Sequence, residues 1–345
     1  MTRRVAATAL AIALVMALAI TLAAWGQEQP VQPQEQPSES VLLRLKFPAG
    51  EVMRYRIFAD VQGTMRMDLP AGPQGQRLPG EMPMHVVVQG ECAAKVLRVD
   101  DAGAARLRVA AGDFSLTMEF MGQKVRIGLV GGKYTVTQNG KPLEKGKLPM
   151  MPGGMKIPLL QEPIEVKIGP RGEVLELALP GLKDLMTMMP GMSVKDMLKG
   201  QILLPEQPLT LGQTWGDSRS ETLPGLNAPV SYEVKMALNG IETWTGDRKV
   251  ANIRVESVTT AQDMDLSQAA PKGATGVPPM AGTMSMNQQL AGTMLFDVTR
   301  GVVVRFDFQA DQTMSMQGSV TAPQGGTQPM NMDMQFSVKG AVAKI

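Results

Sequence analysis

The chain has 345 residues, 44% of them hydrophobic but only 4% aromatic, with 28 methionines, one histidine and one cysteine. Its 34 basic and 32 acidic residues leave a formal charge of +2, which provides no electrostatic footprint for nucleic acid or for an anionic membrane surface. A single cysteine excludes an internal disulfide, so the chain must rest on its core, and that core must be built largely from aliphatics and methionine.

Residues 1–26 read as a signal peptide. Arg3 and Arg4 precede an apolar run over 5–24, and Ala24 and Gly26 are the small residues that flank a cleavage site. The alternative is an N-terminal membrane anchor, since a run of this length can span a bilayer. The alanine-rich composition favours cleavage near Gly26, and a periplasmic or secreted location follows. Loss of Arg3 and Arg4 leaves the mature chain formally neutral. Residues 27–40, QEQPVQPQEQPSES, form a Pro/Gln-rich linker without apolar periodicity.

A first β half is expected over 41–179. From Met53 to Leu69 the odd positions are mostly apolar and the even ones mostly polar. Residues 84–98 place Val86, Val88, Cys92, Ala94 and Val96 on one face, and 114–120 do so with Phe114, Leu116, Met118 and Phe120. Period 2 of this kind marks half-buried strands. The segments 99–103, 131–132, 139–140 and 169–172 carry hairpin-turn chemistry. Pro/Gly-rich stretches at 69–83, 146–163, 265–282 and 321–330 read as longer surface loops. Residues 180–200 break the β pattern and predict short helices at about 181–199, with Ser193 as an N-cap and Gly200 as a stop.

A second β half is expected over 201–345. It echoes the first: FPAGEVMRY (47–55) against LTLGQTWGD (209–217), and VLRVDDAGAARLRVAA (96–111) against IETWTGDRKVANIRVES (241–257). Its last strands carry a beat of alternating methionines, TMSMN at 283–287, TMSMQ at 313–317 and NMDMQ at 331–335, and TMRMD at 64–68 repeats it. A three-residue turn at Thr299-Arg300-Gly301, with Val298 opposite Val302, predicts Met284 facing Met316 and Met286 facing Met314 on the inner face of one hairpin.

Methionine is a flexible gap filler, and strand packing accounts for such rows. Two functional readings stand beside that one. A soft thioether set, Met284, Met286, Met314 and Met316, suits Cu(I). Alternatively, Met150, Met151, Met155, Met186, Met188, Met189, Met192 and Met197 would form an adaptable surface for an apolar small molecule, a lipid or an envelope protein.

No catalytic residues are assigned. His85 on the polar face and Cys92 on the apolar face of the same strand do not form a triad, and no metal-ligand spacing of His, Cys or carboxylates occurs. Paired carboxylates leave an unrecognised hydrolase as an alternative. No cofactor is expected.

LRLKFPAGEVMRYRI (43–57), KIGPRGEVLEL (167–177) and LPEQPLTLGQTW (204–215) resemble, in style and order, a poorly characterised class of exported bacterial β-rich proteins. The resemblance carries no site residue. It implies a strongly curved antiparallel sheet akin to the lipoprotein-carrier half-barrel, which shields apolar ligands. The expectation is therefore a mainly β, exported, non-enzymatic protein with a binding or envelope-structural role.

Overall fold

The computed structural model describes residues 40–68, 80–142, 163–178, 203–222, 228–265, 280–321 and 327–345. Within them the chain is mainly β: one antiparallel sheet, curved and not closed. In chain order the strands are β1 (Val52–Asp68), β2 (Glu81–Val99), β3 (Ala105–Phe120), β4 (Gln123–Val130), β5 (Lys133–Gln138) and β6 (Lys141–Pro142). A hairpin of β7 (Ile164–Ile168) and β8 (Val174–Ala178) follows. The second set is β9 (Thr214–Thr222), β10 (Pro229–Trp244), β11 (Arg248–Asp265), β12 (Met280–Asp297), β13 (Val302–Thr321) and β14 (Thr327–Lys344).

The spatial order is β6-β5-β4-β3-β2-β1-β14-β13-β12-β11-β10-β9. Each half is thus a meander, and the two meet where β1 pairs with β14, from Tyr55 opposite Lys344 to Asp68 opposite Asn331. The hairpin β7–β8 lies off this path and pairs with the first part of β3, whose second part pairs with β4. An irregularity around Gly112 separates the two parts. It shifts the inward residues of β3 from odd (Ala105, Leu107) to even (Leu116, Met118, Phe120) positions, so one strand serves two neighbours.

Hairpin turns fall where Gly and Asn allow positive φ. Gly131-Gly132 joins β4 to β5, and Asn139-Gly140 joins β5 to β6. The internal echo has a structural counterpart. Gly50 (φ 80°) donates its N–H to Val96 O, and Val96 N–H returns to Glu51 O; Gly212 (φ 81°) does the same with Leu238 and Gln213. A bulge follows each acceptor, between Val96 and Arg98 and between Leu238 and Gly240.

The end of the sheet bearing the short turns is plugged by extended chain. Val41 and Leu209 exchange backbone hydrogen bonds, and Leu43 and Leu204 are buried. Arg44 donates to the carbonyls of Leu43 and Glu206 at 2.7 and 2.6 Å, and also to that of Pro205. Lys46 N–H donates to Gly301 O at 2.9 Å. Above the plug the inner face is packed with branched and aromatic residues, among them Leu238, Ile253, Val255, Phe296 and Phe306. Their stiff side chains suit a dense, single packing.

Three expectations need correction or placement. The β12–β13 loop is Val298–Gly301, not three residues: Asp297 is the last paired residue, opposite Val302, because its carboxylate is used to cap the turn. A bulge at Val304 then restores the phase, so the register beyond it is the expected one. The supposed loops are shorter, since β2 already begins at Glu81, β12 at Met280 and β14 at Thr327. Pro83 and Pro329 sit within paired strands, where neighbouring strands override the local turn signal. The signal peptide, most of the linker and the helices expected at 181–199 lie outside the described residues.

Candidate functional site

The inner face changes chemistry along its length. Beyond the branched core, toward the ends of β1, β11 and β13, methionine takes over in rows that cross the strands. One row runs Met264, Met284, Met316, Met332, Met67 over β11, β12, β13, β14 and β1. The next runs Met286, Met314, Met334, Met65, Met82 over β12, β13, β14, β1 and β2. Directly opposed side chains in an antiparallel sheet have Cβ atoms roughly 5 Å apart, so each row is a contiguous strip of thioethers. The pairs Met284/Met316 and Met286/Met314 are as the sequence implied. Met314 and Met316 are buried, whereas Met284 and Met286 are half-buried at the margin of the core. The sequence reading placed only β12, β13 and β14 in this surface. That β1 and β2 extend it follows from the β1·β14 pairing, which joins residues far apart in the chain.

A third row lies beneath these two. It reads Gln288, Gln312, Phe336, Gly63, Met84, Phe120. Gly63 is required here: a Cβ would come within 2.3 Å of the Phe336 ring, which lies over it. Gln312 is 3% exposed and is, with Asp297, one of two buried polar residues among those described.

Among the described residues, β6 and β9 end the strand order and do not pair with each other. Val136 on β5 and Trp215 on β9 are half-buried and pack against the main core from opposite ends of the strand order. The Trp215 indole N–H donates to Leu203 O at 2.9 Å, which holds the ring at the β9 edge.

The outer face is polar. Two grooves of about 490 and 830 Å³ lie on it and share Thr64 and Gln335. His85 is on this face, as expected, and pairs with Asp60 at 2.9 Å across β1 and β2. Glu119 and Lys124 form an ion pair nearby; the hydrogen bond and charge of Lys124 hold the Glu119 carboxyl below its usual range. Glu119 and Lys124 neutralise one another at solvent-exposed positions, an arrangement of small energetic consequence. Among the described residues no group of three or more His, Cys, Asp or Glu is placed to hold a metal ion.

Cys92 is half-buried opposite Tyr55, and burial pushes its thiol pKa up, which disfavours the reactive thiolate. The eight methionines from Met150 to Met197, expected to form an adaptable surface, lie outside the described residues.

No family model and no curated protein matches the chain. Among solved structures it is similar to an outer membrane channel from Pseudomonas putida F1, at 9% identity over 89% of this chain and 100% of that one, with a TM-score of 0.15. It is also similar to Pseudomonas aeruginosa OccK5 (8% identity, 85% and 98% coverage, TM-score 0.16) and OccK7 (7%, 86% and 99%, TM-score 0.19). TM-scores this low do not define a shared architecture, and no functional inference follows from them.

Proposed function

We propose that this is an exported, non-enzymatic protein that binds an apolar molecule on the methionine-lined part of its inner sheet face. The observation that carries the reading is the division of that face. Where the sheet is plugged, packing uses stiff branched and aromatic residues; in the adjoining rows it uses methionine almost exclusively. Methionine accommodates variable shapes at little cost, and a sheet whose end strands, among the described residues, do not pair with each other can part where a closed barrel cannot. The signal-like N-terminus and formally neutral mature chain fit an envelope location. The test is uptake of N-phenyl-1-naphthylamine by the purified mature protein. Saturable fluorescence enhancement is expected, displaced by long-chain compounds and weakened by Met286→Asp at the half-buried margin. A wild-type protein that does not enhance the dye, or a folded Met286→Asp protein that binds it equally, removes the reading.

A second reading rests on the hairpin register. Met284, Met286, Met314 and Met316 bring four thioethers into one patch, a donor set that suits Cu(I). Competition against a bicinchoninate–Cu(I) complex tests it. Met314→Leu keeps the packing volume but removes a donor, so affinity drops if copper is held there and is unchanged if it is not.

A further inference from the structure

We infer that Met284 and Met286 form an oxidation-sensitive modification site, at which conversion to the sulfoxide by a peroxide loosens the ends of β10 and β11 from the main core. The inference goes beyond the binding role proposed above and does not depend on it.

In the two methionine rows of the inner face, Met284 and Met286 are half-buried and the others are buried. A peroxide in solution therefore reaches these two sulfurs before the rest of the rows. Both sit where the ladder between β11 and β12 is broken. Met286 pairs with Ala261 and Met284 with Met264, which leaves Gln262 and Asp263 between those partners unpaired. Asp263 has φ 51°, and its N–H donates to Ser285 Oγ at 3.1 Å, so a side-chain bond stands in for the ladder there. Local opening is drawn from regions of such weak pairing.

The place of these two residues gives their oxidation a consequence. A small buried cluster of Ala228, Val230, Ala261 and Met264 lies around the start of β10 and the end of β11. Among the described residues, Met284 and Met286 are the partly buried side chains that pack against both this cluster and the main core. They are the joint between the two. In the oxidation the sulfur gives up two electrons: its lone pair forms the S–O bond as the O–O bond of hydrogen peroxide breaks, and the other oxygen leaves as water. The product sets a strongly polar S=O group among apolar neighbours. Met264 and Met316 flank Met284, and Ala261 and Met314 flank Met286, and none of these side chains donates a hydrogen bond. An unpartnered polar group is driven toward water, which parts the small cluster from the core. A thiol-dependent sulfoxide reductase reverses the change.

Met121 provides an internal control. It is 49% exposed in the turn between β3 and β4 and belongs to neither cluster.

The experiment treats the purified protein with graded hydrogen peroxide, maps sulfoxides by peptide mass spectrometry and follows amide hydrogen exchange. Met121, Met284 and Met286 should oxidise at least about tenfold faster than Met314, Met316, Met332 and Met334. Exchange over 229–234 and 258–264 should then rise about tenfold, the effect of one unpaired polar group. The rise should occur equally in Met121→Leu, be absent from the Met284→Leu/Met286→Leu double variant, which keeps the packing volume, and disappear on treatment with MsrA and MsrB. Oxidation of Met284 and Met286 no faster than of Met314 and Met316 overturns the inference. So does unchanged exchange once both are oxidised, or an equal rise in the double variant. If the double variant does not fold, the wild-type time course decides: exchange that rises in step with sulfoxide at 284 and 286 upholds the inference, and exchange that rises without it overturns it. Neither readout uses a ligand, so failure of dye binding removes the carrier role and leaves this inference standing.

Discussion

Asp297→Ala is the most informative single substitution for the fold. Asp297 is 0% exposed at the end of β12. Its Oδ2 accepts from Arg248 Nε at 2.9 Å and Nη2 at 2.7 Å, and its Oδ1 accepts from Arg300 N–H at 2.9 Å. Its backbone carbonyl accepts from Gly301 N–H at 2.7 Å, which closes the turn. Arg248 also lies 5.8 Å from the Trp244 ring centre. Truncation strands the guanidinium and one backbone donor. Breaking a buried pair costs about 3–5 kcal/mol, and Arg248 retains 27% side-chain exposure, so the lower end applies, about 3 kcal/mol. For a chain of this size that is a melting-point loss of roughly 4–5 °C. Burial alone would raise the Asp297 carboxyl, but the Arg300 N–H and the Arg248 guanidinium outweigh it and hold the group below the usual carboxylate range. A depressed folded-state value means that the contribution is full above the unfolded value near about 4 and is lost as pH falls through the folded value. The cost of the substitution should therefore shrink in acid. Urea denaturation of wild type, Asp297→Ala, Arg248→Met and the double variant, at neutral and acidic pH, measures both effects. A cost under about 1 kcal/mol at neutral pH, or one that persists undiminished in acid, refutes the reasoning.

Three further outcomes are expected. Gly301→Ala should destabilise the turn and detach the plug: Gly301 has φ 65°, and a Cβ there would lie 2.6 Å from Arg44 O and Lys46 N, so loss of about 2–3 kcal/mol and faster proteolysis near residue 44 are the readouts. Met314→Asp, which buries a charge, should cost at least about 4 kcal/mol in a thermal melt, whereas Met286→Asp at the half-buried margin should cost less than half as much. Spectrophotometric titration should reveal a late-titrating tyrosine that Tyr55→Phe removes, because burial, then the Cys92 and Glu51 charges, pushes Tyr55 up to about 12; its stability contribution is whole below about pH 10 and lost as pH rises through 12.

The alternation of β1, β2 and the last three strands was legible in the sequence because side chains on a strand alternate between its faces whatever the strand pairs with. The pairing of Met284 with Met316 was legible for a related reason: a short turn between two alternating strands leaves few registers that keep both apolar sets on one face. The turn itself was misplaced by one residue, since nothing local announces that the Asp297 side chain will bond Arg248 across the sheet.

Only the tertiary structure decided the rest. Alternation assigns a face but names no neighbour, so the pairing of β1 with β14, which joins Met65 and Met67 to the rows of the second half, could not be read from either strand alone. The change of phase in β3 depends on its having two different partners, and the burial of Leu43 depends on Leu209 coming to meet Val41. Away from bulges such as that in β3, the sequence by itself thus determined which side chains share a face, because that is a property of the backbone. Which of them touch is a property of strand order, set by contacts between segments far apart in the chain, and it is that order which gathers the methionines and Gln312 onto one face.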